Sequence, residues 1–176
     1  MTAKAPRYDL PKAAPEPLRL VQRFVNTVNL ERGDEWLAAW FEDQGVKPAA
    51  RELDEAREVR EALRELLYAN NGQRLESDPI ATLNRAAAVA GLTVDFGRGE
   101  LVPQAGGSAG VLGRVLAAAF LSMADGSWSR LKACRNHGCR WAFYDESRNR
   151  SARWCSMQLC GNRTKTRAYR ARHARA

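Results

Sequence analysis

The stretch CRNHGCRWAFYDESRNRSARWCSMQLC, residues 134–160, contains all four cysteines of the 176-residue chain. They follow the pattern C-x4-C-x15-C-x4-C, which is typical of a structural zinc site because each close pair supplies two thiolates from one local turn. The spacing predicts one zinc ion, and four thiolates would close its coordination and make it structural. The predicted ligands are Cys134, Cys139, Cys155 and Cys160.

Other interpretations of the cysteines stay open at this point. They can be buried free thiols or a redox pair, although neither pair has the C-x-x-C spacing of a redox motif. Stable disulfides do not suit a reducing compartment. His137, inside the first loop, is either an alternative metal ligand or an exposed side chain that hydrogen-bonds near the metal.

The residues between and after the two pairs predict how the pairs meet. Residues 140–145 alternate as in a strand, 147–151 form a polar turn, and 153–154 are predicted to return beside that strand. A helix from about Met157 to His173 follows and begins at the last ligands. A knuckle, a hairpin and such a helix make a treble-clef-like zinc finger, with its aromatic side chains expected to pack around the metal.

Positive charge is concentrated at the same end of the chain. The formal net charge is +8, and residues 130–176 contain 13 of the 28 Lys and Arg residues but only two of the 20 acidic residues. A compact basic region on a mildly acidic body predicts a polyanionic partner. Nucleic acid is the leading candidate, ahead of an anionic membrane or an acidic protein. Charge does not separate DNA from RNA, but a four-cysteine module with a short basic helix fits double-stranded, B-form DNA better than A-form RNA.

The predicted DNA contacts lie in the polar turn and on the last helix. Positions 163, 167 and 170 share one side of that helix, and positions 165 and 172 flank it. Arginine forks suit both phosphates and the guanine edge in the major groove. The predicted DNA-binding residues are Arg148, Arg150, Arg163, Lys165, Arg167, Arg170 and Arg172.

Upstream of the basic region the sequence predicts a helical domain. Residues 1–15 show no hydrophobic periodicity and are predicted to be a mobile arm. Residues 16–125 contain four amphipathic helical segments (the clearest at 49–72), a hairpin turning at Gly97–Gly99 and an apolar central helix at 111–124. With a zinc finger at 128–176, the fold class is mainly α with a β-hairpin (α+β).

Membrane insertion, secretion and catalysis are not expected. The N-terminus has Pro and charges where a signal peptide needs an apolar region, and the apolar stretch 115–124 is about half of the ~20 residues that span a bilayer. The chain is therefore expected in the cytoplasm, associated with the nucleoid. It has no P-loop, G-x-S-x-G or zinc-deaminase pattern, so an enzyme is not predicted.

Two parts of the sequence resemble known families. CRWAFYDESRNRSARWC (139–155) with WCSMQLCGNRTKTRAYRARH (154–173) resembles the CGNR zinc finger, named for the tetrapeptide at 160–163. LRLVQRFVNTVNLERGDEWLAAWFEDQGV (18–46) resembles the start of the ABATE domain, which normally precedes this finger. The resemblance implies a bacterial transcription regulator that binds DNA, in a group with some members linked to stress.

The N-terminal domain of such a regulator is expected to form a homodimer, sense a small-molecule effector, or do both. One short helix rarely reads enough DNA alone, and two-fold symmetry doubles the contacts. An RNA-binding protein and a zinc-stapled adaptor between proteins are the alternative functions.

Overall fold

The computed structural model of the protein describes residues 8–75 and 78–173. Six α-helices and three two-stranded antiparallel sheets lie within these residues. The helices are α1 Leu18–Val25, α2 Leu37–Asp43, α3 Ala50–Asn70, α4 Ile80–Ala90, α5 Gly107–Ala124 and α6 Asn162–His173. The strands are β1 Val28–Asn29, β2 Asp34–Glu35, β3 Leu92–Asp95, β4 Glu100–Pro103, β5 Leu131–Ala133 and β6 Ala142–Tyr144.

Helix α3 forms where the amphipathic pattern predicts it. At its start, the Glu52 carboxylate accepts a hydrogen bond from the Ala49 N–H at 2.6 Å, and a negative charge in the first turn also suits the helix dipole. At its end, Gly72 adopts a φ of 71°, which glycine does without strain. The face toward the core carries Ala56, Val59, Leu63, Leu67 and Tyr68.

Helix α5 is the apolar central helix that the sequence predicts. By length and composition alone it could cross a membrane, but 61% of it is buried inside the protein, as in the core helix of a globular domain. Residues 115–119 are all buried. Its last turn differs, because Phe120, Leu121 and Met123 are exposed.

The β3–β4 hairpin is confirmed. Its register runs from Leu92 opposite Pro103 to Asp95 opposite Glu100, and the Asp95 carboxylate accepts hydrogen bonds from the turn N–H groups of Gly97 and Arg98. The small β1–β2 pair was not predicted, since strands of two residues leave no periodicity to detect.

The hairpin of the zinc finger is different from the prediction. β6 pairs with β5, with Leu131 opposite Tyr144 and Ala133 opposite Ala142, instead of pairing with residues 153–154. The physical reason is burial: Leu131, Ala133 and Ala142 are fully buried against the helices, whereas Arg153 is exposed and Trp154 is only half-buried.

Part of the predicted mobile arm is packed against the helical domain. Tyr8 and Ala14 are buried. The Gln22 amide donates to the carbonyls of Asp9 and Lys12 and accepts from the N–H of Ala14, so that α1 binds the backbone of this segment. Residues 1–7 of the arm lie outside the described residues.

One hydrophobic core joins the helices to the first part of the finger. Trp128 and the inward residues of β5 and β6 lie in the same core cluster as α1, α3 and α5. Buried hydrogen bonds reinforce the contact: the Asn26 side chain bonds both the N–H and the carbonyl of Ala142, at 2.7 and 2.9 Å. The β5–β6 hairpin, which carries the first cysteine pair, is therefore held by the helical domain.

Candidate zinc centre and nucleic-acid interface

The four cysteine sulfurs meet at one point. The Sγ atoms of Cys134, Cys139, Cys155 and Cys160 all lie within 4.8 Å of one another. The Sγ of Cys155 is 3.7 Å from that of Cys139 and 3.7 Å from that of Cys160. A tetrahedral zinc ion with Zn–S bonds of about 2.3 Å needs sulfurs about 3.8 Å apart, so the donor set fits one structural zinc ion.

The charge of the sulfurs gives a second reason for a cation. Hydrogen bonds with the Cys139 and Cys155 thiols lower the pKa of Cys134 to about 2. The same contacts with Cys134 raise the pKa of Cys139 and of Cys155 above that of an ordinary thiol. The Cys134 thiolate is therefore stabilised at the expense of those of Cys139 and Cys155, an arrangement that a bound cation would relieve.

The first cysteine pair sits in the connection between β5 and β6. The N–H of Cys134 donates to the Trp141 carbonyl at 3.0 Å, and that of Cys139 donates to the Asn136 carbonyl at 2.8 Å. The Asn136 side chain closes the turn by accepting from Gly138 N–H, and its amide lies 3.6 Å from the Cys160 sulfur. This knuckle therefore orients two ligands and also contacts the second pair.

The second pair lies on the turn that starts α6. The Ser156 hydroxyl caps it by accepting from the Leu159 N–H at 3.3 Å. A Cβ at Gly161 would lie 2.7 Å from the Met157 sulfur and 3.3 Å from the Trp154 ring, so that a larger residue here would require the flexible Met157 side chain to move. Helix α6 begins at Asn162, two residues after the ligand Cys160, so that the metal fixes the start of the helix.

Apolar side chains enclose the sulfurs, as the sequence predicts. Phe143 is fully buried with the cysteines, and Trp141 and Trp154 pack against this cluster. The Lys12 ammonium lies 5.0 Å from the centre of the Phe143 ring, and the Trp141 indole donates to the Leu10 carbonyl at 2.8 Å. The N-terminal segment thus covers the zinc finger.

His137 does not join the sulfur cluster. Its ring packs edge-on against Tyr68, with the Tyr68 hydroxyl 3.2 Å from Nδ1. Among the described residues, the group of side chains close enough to share a metal ion consists of the four cysteines.

Helix α3 holds the knuckle through charged side chains that the sequence analysis did not identify. Arg140, directly after a ligand, has a φ of 45°. Its guanidinium lies 4.4 Å from the Tyr68 ring centre and forms an ion pair with Glu65. Arg64, 1% exposed, donates to the Arg140 carbonyl at 3.0 Å and to the Val25 carbonyl at 2.6 Å.

Such buried arginines leave no hydrophobic signal in the sequence. Burial lowers the pKa of Arg64, and the Glu61 carboxylate, 2.8 Å from Nε, opposes this shift. In the sequence, Arg64 and Glu61 look like ordinary exposed charges of an amphipathic helix. Only the position of the finger against α3 shows that Arg64 is enclosed.

The predicted DNA-contacting side chains that the structure describes are exposed, but they differ in whether another side chain already pairs with them. On α6, Lys165, Arg167 and Arg170 are exposed, and no carboxylate among the described residues pairs with them. Arg163 is exposed too, yet it pairs with Glu31 of the β1–β2 turn. Arg148 is exposed in the turn, and Arg150 donates to the Ser129 hydroxyl at 2.9 Å. The Arg172 side chain lies outside the described part of the chain.

A helical domain that carries a closed four-cysteine centre defines a zinc-finger protein. The model of the family described as "Putative stress-induced transcription regulator" (ABATE) matches residues 18–126, and that of the CGNR zinc finger matches residues 130–173. The chain belongs to the ABATE family and is a zinc-finger regulatory protein. Neither match is an enzyme family. A comparison with curated proteins finds no match.

Proposed function

We propose that the protein is a transcription regulator that binds double-stranded DNA through helix α6. The observation that carries the proposal is a set of exposed basic side chains, unpaired within the described residues, on a helix that begins two residues after a zinc ligand. Arg167 and Arg170 share one side of this helix, and Lys165 lies on another. The metal holds the first turn of α6 in place, so that the positions of these side chains relative to DNA are fixed by the zinc centre.

The two ends of α6 suit different tasks. Base reading needs fixed geometry, whereas phosphate attraction does not. Arg167, two turns from the ligand Cys160, is positioned to contact base edges, while residues nearer the end of the helix supply mobile charge to the backbone. A helix fits the major groove of B-form DNA but not the deep, narrow one of A-form RNA, which favours DNA over RNA.

The test is a selection with the purified, zinc-loaded chain from two random libraries, one of duplex DNA and one of single-stranded RNA. Recovery of one recurrent sequence, with nanomolar affinity that falls as salt increases, is the expected result. Binding of single-stranded RNA in preference to duplex DNA would replace the proposal by the RNA-binding alternative. No enrichment from either library would favour the protein adaptor.

We further propose that two copies associate through the helical domain. The exposed end of α5, with Phe120, Leu121 and Met123, offers an apolar surface, and a dimer would double the short footprint of one finger. Sedimentation should show a dimer at tens of micromolar, and Phe120→Glu should give a monomer. A wild-type monomer whose stability rises with an apolar small molecule would instead make this surface an effector site.

The proposal places the protein in the cytoplasm with the nucleoid. A fluorescent fusion of the full chain should co-localise with DNA stain, and a variant without Cys155 should spread through the cell.

A further inference from the structure

A polar cleft lies between the end of α3 and the loop after β6. It has a volume of about 310 Å³ and is bordered by Asn71 and Gly72 on one side and by residues 149–153 on the other. Arg135, beside the ligand Cys134, also lines it.

Three guanidinium groups line the cleft without a counter-charge. They belong to Arg135, Arg150 and Arg153, and no carboxylate among the described residues pairs with any of them. The fourth cation of the lining, Lys132, is different, because it is 4% exposed and its ammonium lies 2.7 Å from the Asp145 carboxylate. The cleft therefore carries a net positive charge that no carboxylate of the described residues balances.

The guanidinium positions are partly fixed by the fold. The Arg135 Nε donates to the Asn71 carbonyl at 2.7 Å, and a Cβ on Gly72 would lie 2.9 Å from the Arg135 Nη2, so that the side chain rests on a glycine. Arg150 donates from one Nη to Ser129. The remaining guanidinium N–H groups of both side chains have no hydrogen-bond partner among the described residues.

The loop that carries Arg150 and Arg153 is also anchored. Lys132 donates to the carbonyls of Arg150 and Ala152, and the Asp145 carboxylate accepts from the Ala152 N–H at 3.0 Å. The Arg153 carbonyl accepts from the Asn71 amide and from the Arg135 N–H, at 2.9 and 3.1 Å. The backbone is preorganised, which reduces the entropy lost when an anion binds.

We propose that this cleft binds a phosphate group, and that in the complex it holds a backbone phosphate of the DNA bound by α6. Arginine forks bind phosphate oxygens in pairs, and neutral donors such as Asn149 and Ser151, also in the lining, are common phosphate contacts. The identity of the phosphate as DNA rests on the proposed function. The cleft is then a second anchor, separate from α6, that sets the orientation of the finger on the duplex.

The first test compares Arg153→Ala with Arg98→Ala. Arg153 makes no side-chain hydrogen bond in the described structure, so its removal should leave the zinc content and the thermal midpoint unchanged. Arg98, in the β3–β4 turn, is 71% exposed and serves as a control for the loss of one positive charge. Arg153→Ala should weaken duplex binding about tenfold and lower the salt slope by about 0.9, and Arg98→Ala should change the affinity less than about twofold. Equal effects of the two variants would overturn the proposal.

A second test locates the phosphate. A series of duplexes, each with one neutral methylphosphonate, should show positions where neutralisation weakens the wild type. One of these positions should lose its effect in Arg153→Ala while the others keep theirs. An identical pattern in wild type and variant would show that Arg153 contacts no backbone phosphate.

Inorganic phosphate separates the cleft from the proposed function. Titration of the zinc-loaded chain, followed by amide NMR, should shift residues 149–153 in the wild type but not in Arg153→Ala. Phosphate binding without duplex binding would show an anion site that serves a free phosphate ligand and would refute the DNA function. Duplex binding that is unchanged in Arg153→Ala would refute only the role of the cleft. If the wild type bound neither phosphate nor duplex DNA, both the cleft proposal and the proposed DNA function would be refuted.

Discussion

At the scale of single residues, the Lys132–Asp145 pair decides the shape of the finger loop. Asp145 is fully buried. Burial alone would raise the pKa of this carboxyl, but hydrogen bonds from Lys132 and Ser147 outweigh burial and leave the pKa below its ordinary value. In the sequence, the two residues are ordinary members of a charged region.

Breaking this buried pair should be costly. Asp145→Asn leaves the Lys132 ammonium enclosed without a counter-charge, and we expect a loss of about 3–5 kcal/mol in the free energy of unfolding. Asp54→Asn, which removes one partner of an exposed pair with Arg57, should cost less than about 1 kcal/mol. Chemical denaturation of both variants measures the difference, and similar losses would contradict this assignment.

The pH dependence of the same pair has a definite sign. A folded-state pKa below the unfolded value of about 3.9 adds stability at neutral pH, and this contribution disappears as the pH falls through the lowered pKa. The stability difference between wild type and Asp145→Asn should therefore shrink below about pH 4. Denaturation curves from pH 7 to pH 3 provide the measurement, and a difference that grows in acid would be inconsistent with a charged Asp145.

Arg167 is the residue of α6 whose loss should affect specificity most. Arg163 already donates to Glu31, whereas Arg167 is exposed and unpaired in the described structure. If α6 reads DNA, Arg167→Ala should cost about 1–3 kcal/mol on the selected site and relax its sequence preference. Titrations on selected and scrambled duplexes measure both effects. An equal loss on the two duplexes would make α6 an electrostatic clamp without a reading role.

At the scale of elements, the close approach of α5 to β4 and to the end of α4 depends on Gly113. A Cβ at Gly113 would lie 2.6 Å from the Pro103 Cβ and 2.9 Å from the Ala90 Cβ, both on rigid backbone. These contacts bring α5 against β4 and the end of α4. The apolar character of α5 predicts that the helix is buried, but it does not identify which helix or strand comes this close.

Gly113→Ala should therefore destabilise the protein in spite of alanine's better helix propensity. We expect a loss of about 1–3 kcal/mol from overpacking, reduced by about 1 kcal/mol of propensity. Arg114→Ala, on the exposed side of the same helix, should change stability by less than about 0.5 kcal/mol. Thermal unfolding of the two variants tests this, and a stabilised Gly113→Ala would show that the contact is loose.

At the scale of the whole molecule, the finger and the helical domain share one core. The segment before the first ligand contributes Trp128, Leu131 and Ala133 to the cluster formed by α1, α3 and α5. Hydrogen bonds then link the backbone of the finger to the helical domain: Asn26, directly after α1, bonds Ala142; Asn71, directly after α3, bonds Ala133; and Arg64 of α3 bonds Arg140. A small appended module would be stabilised by its metal alone. This finger is stabilised by the metal and also by packing and hydrogen bonds with the helical domain.

Loss of zinc should consequently weaken more than the finger. With Cys155→Ser, residues 155–173 are expected to unfold, since metal binding in such modules is worth about 10–16 kcal/mol. The β5–β6 hairpin loses part of its support, so that the unfolding midpoint of the helices, followed at 222 nm, should also fall. Hydrogen exchange should become faster at the end of α3. Helices that unfold at the wild-type midpoint would show that the two parts are independent.

The sequence by itself determined the zinc ligands, the helices α1 to α6 and the β3–β4 hairpin. These features depend on local chemistry: cysteine spacing, a hydrophobic period of 3.6 or 2, glycine turns and helix caps all act within a few residues. The ABATE and CGNR motifs are equally local patterns. Each can be detected without knowing what lies beside it in the fold.

Tertiary structure alone decided which strand pairs with β6, that residues 8–14 pack on α1, and that Arg64 and Asp145 are enclosed. A strand selects its partner by the burial that the whole core offers, and residues 131–133 can be buried where 153–154 cannot. Buried charges are invisible to hydrophobic patterns, because their cost is offset by partners such as Glu61 and Lys132. The cleft of Arg135, Arg150 and Arg153 likewise exists only where the end of α3 meets the finger loop.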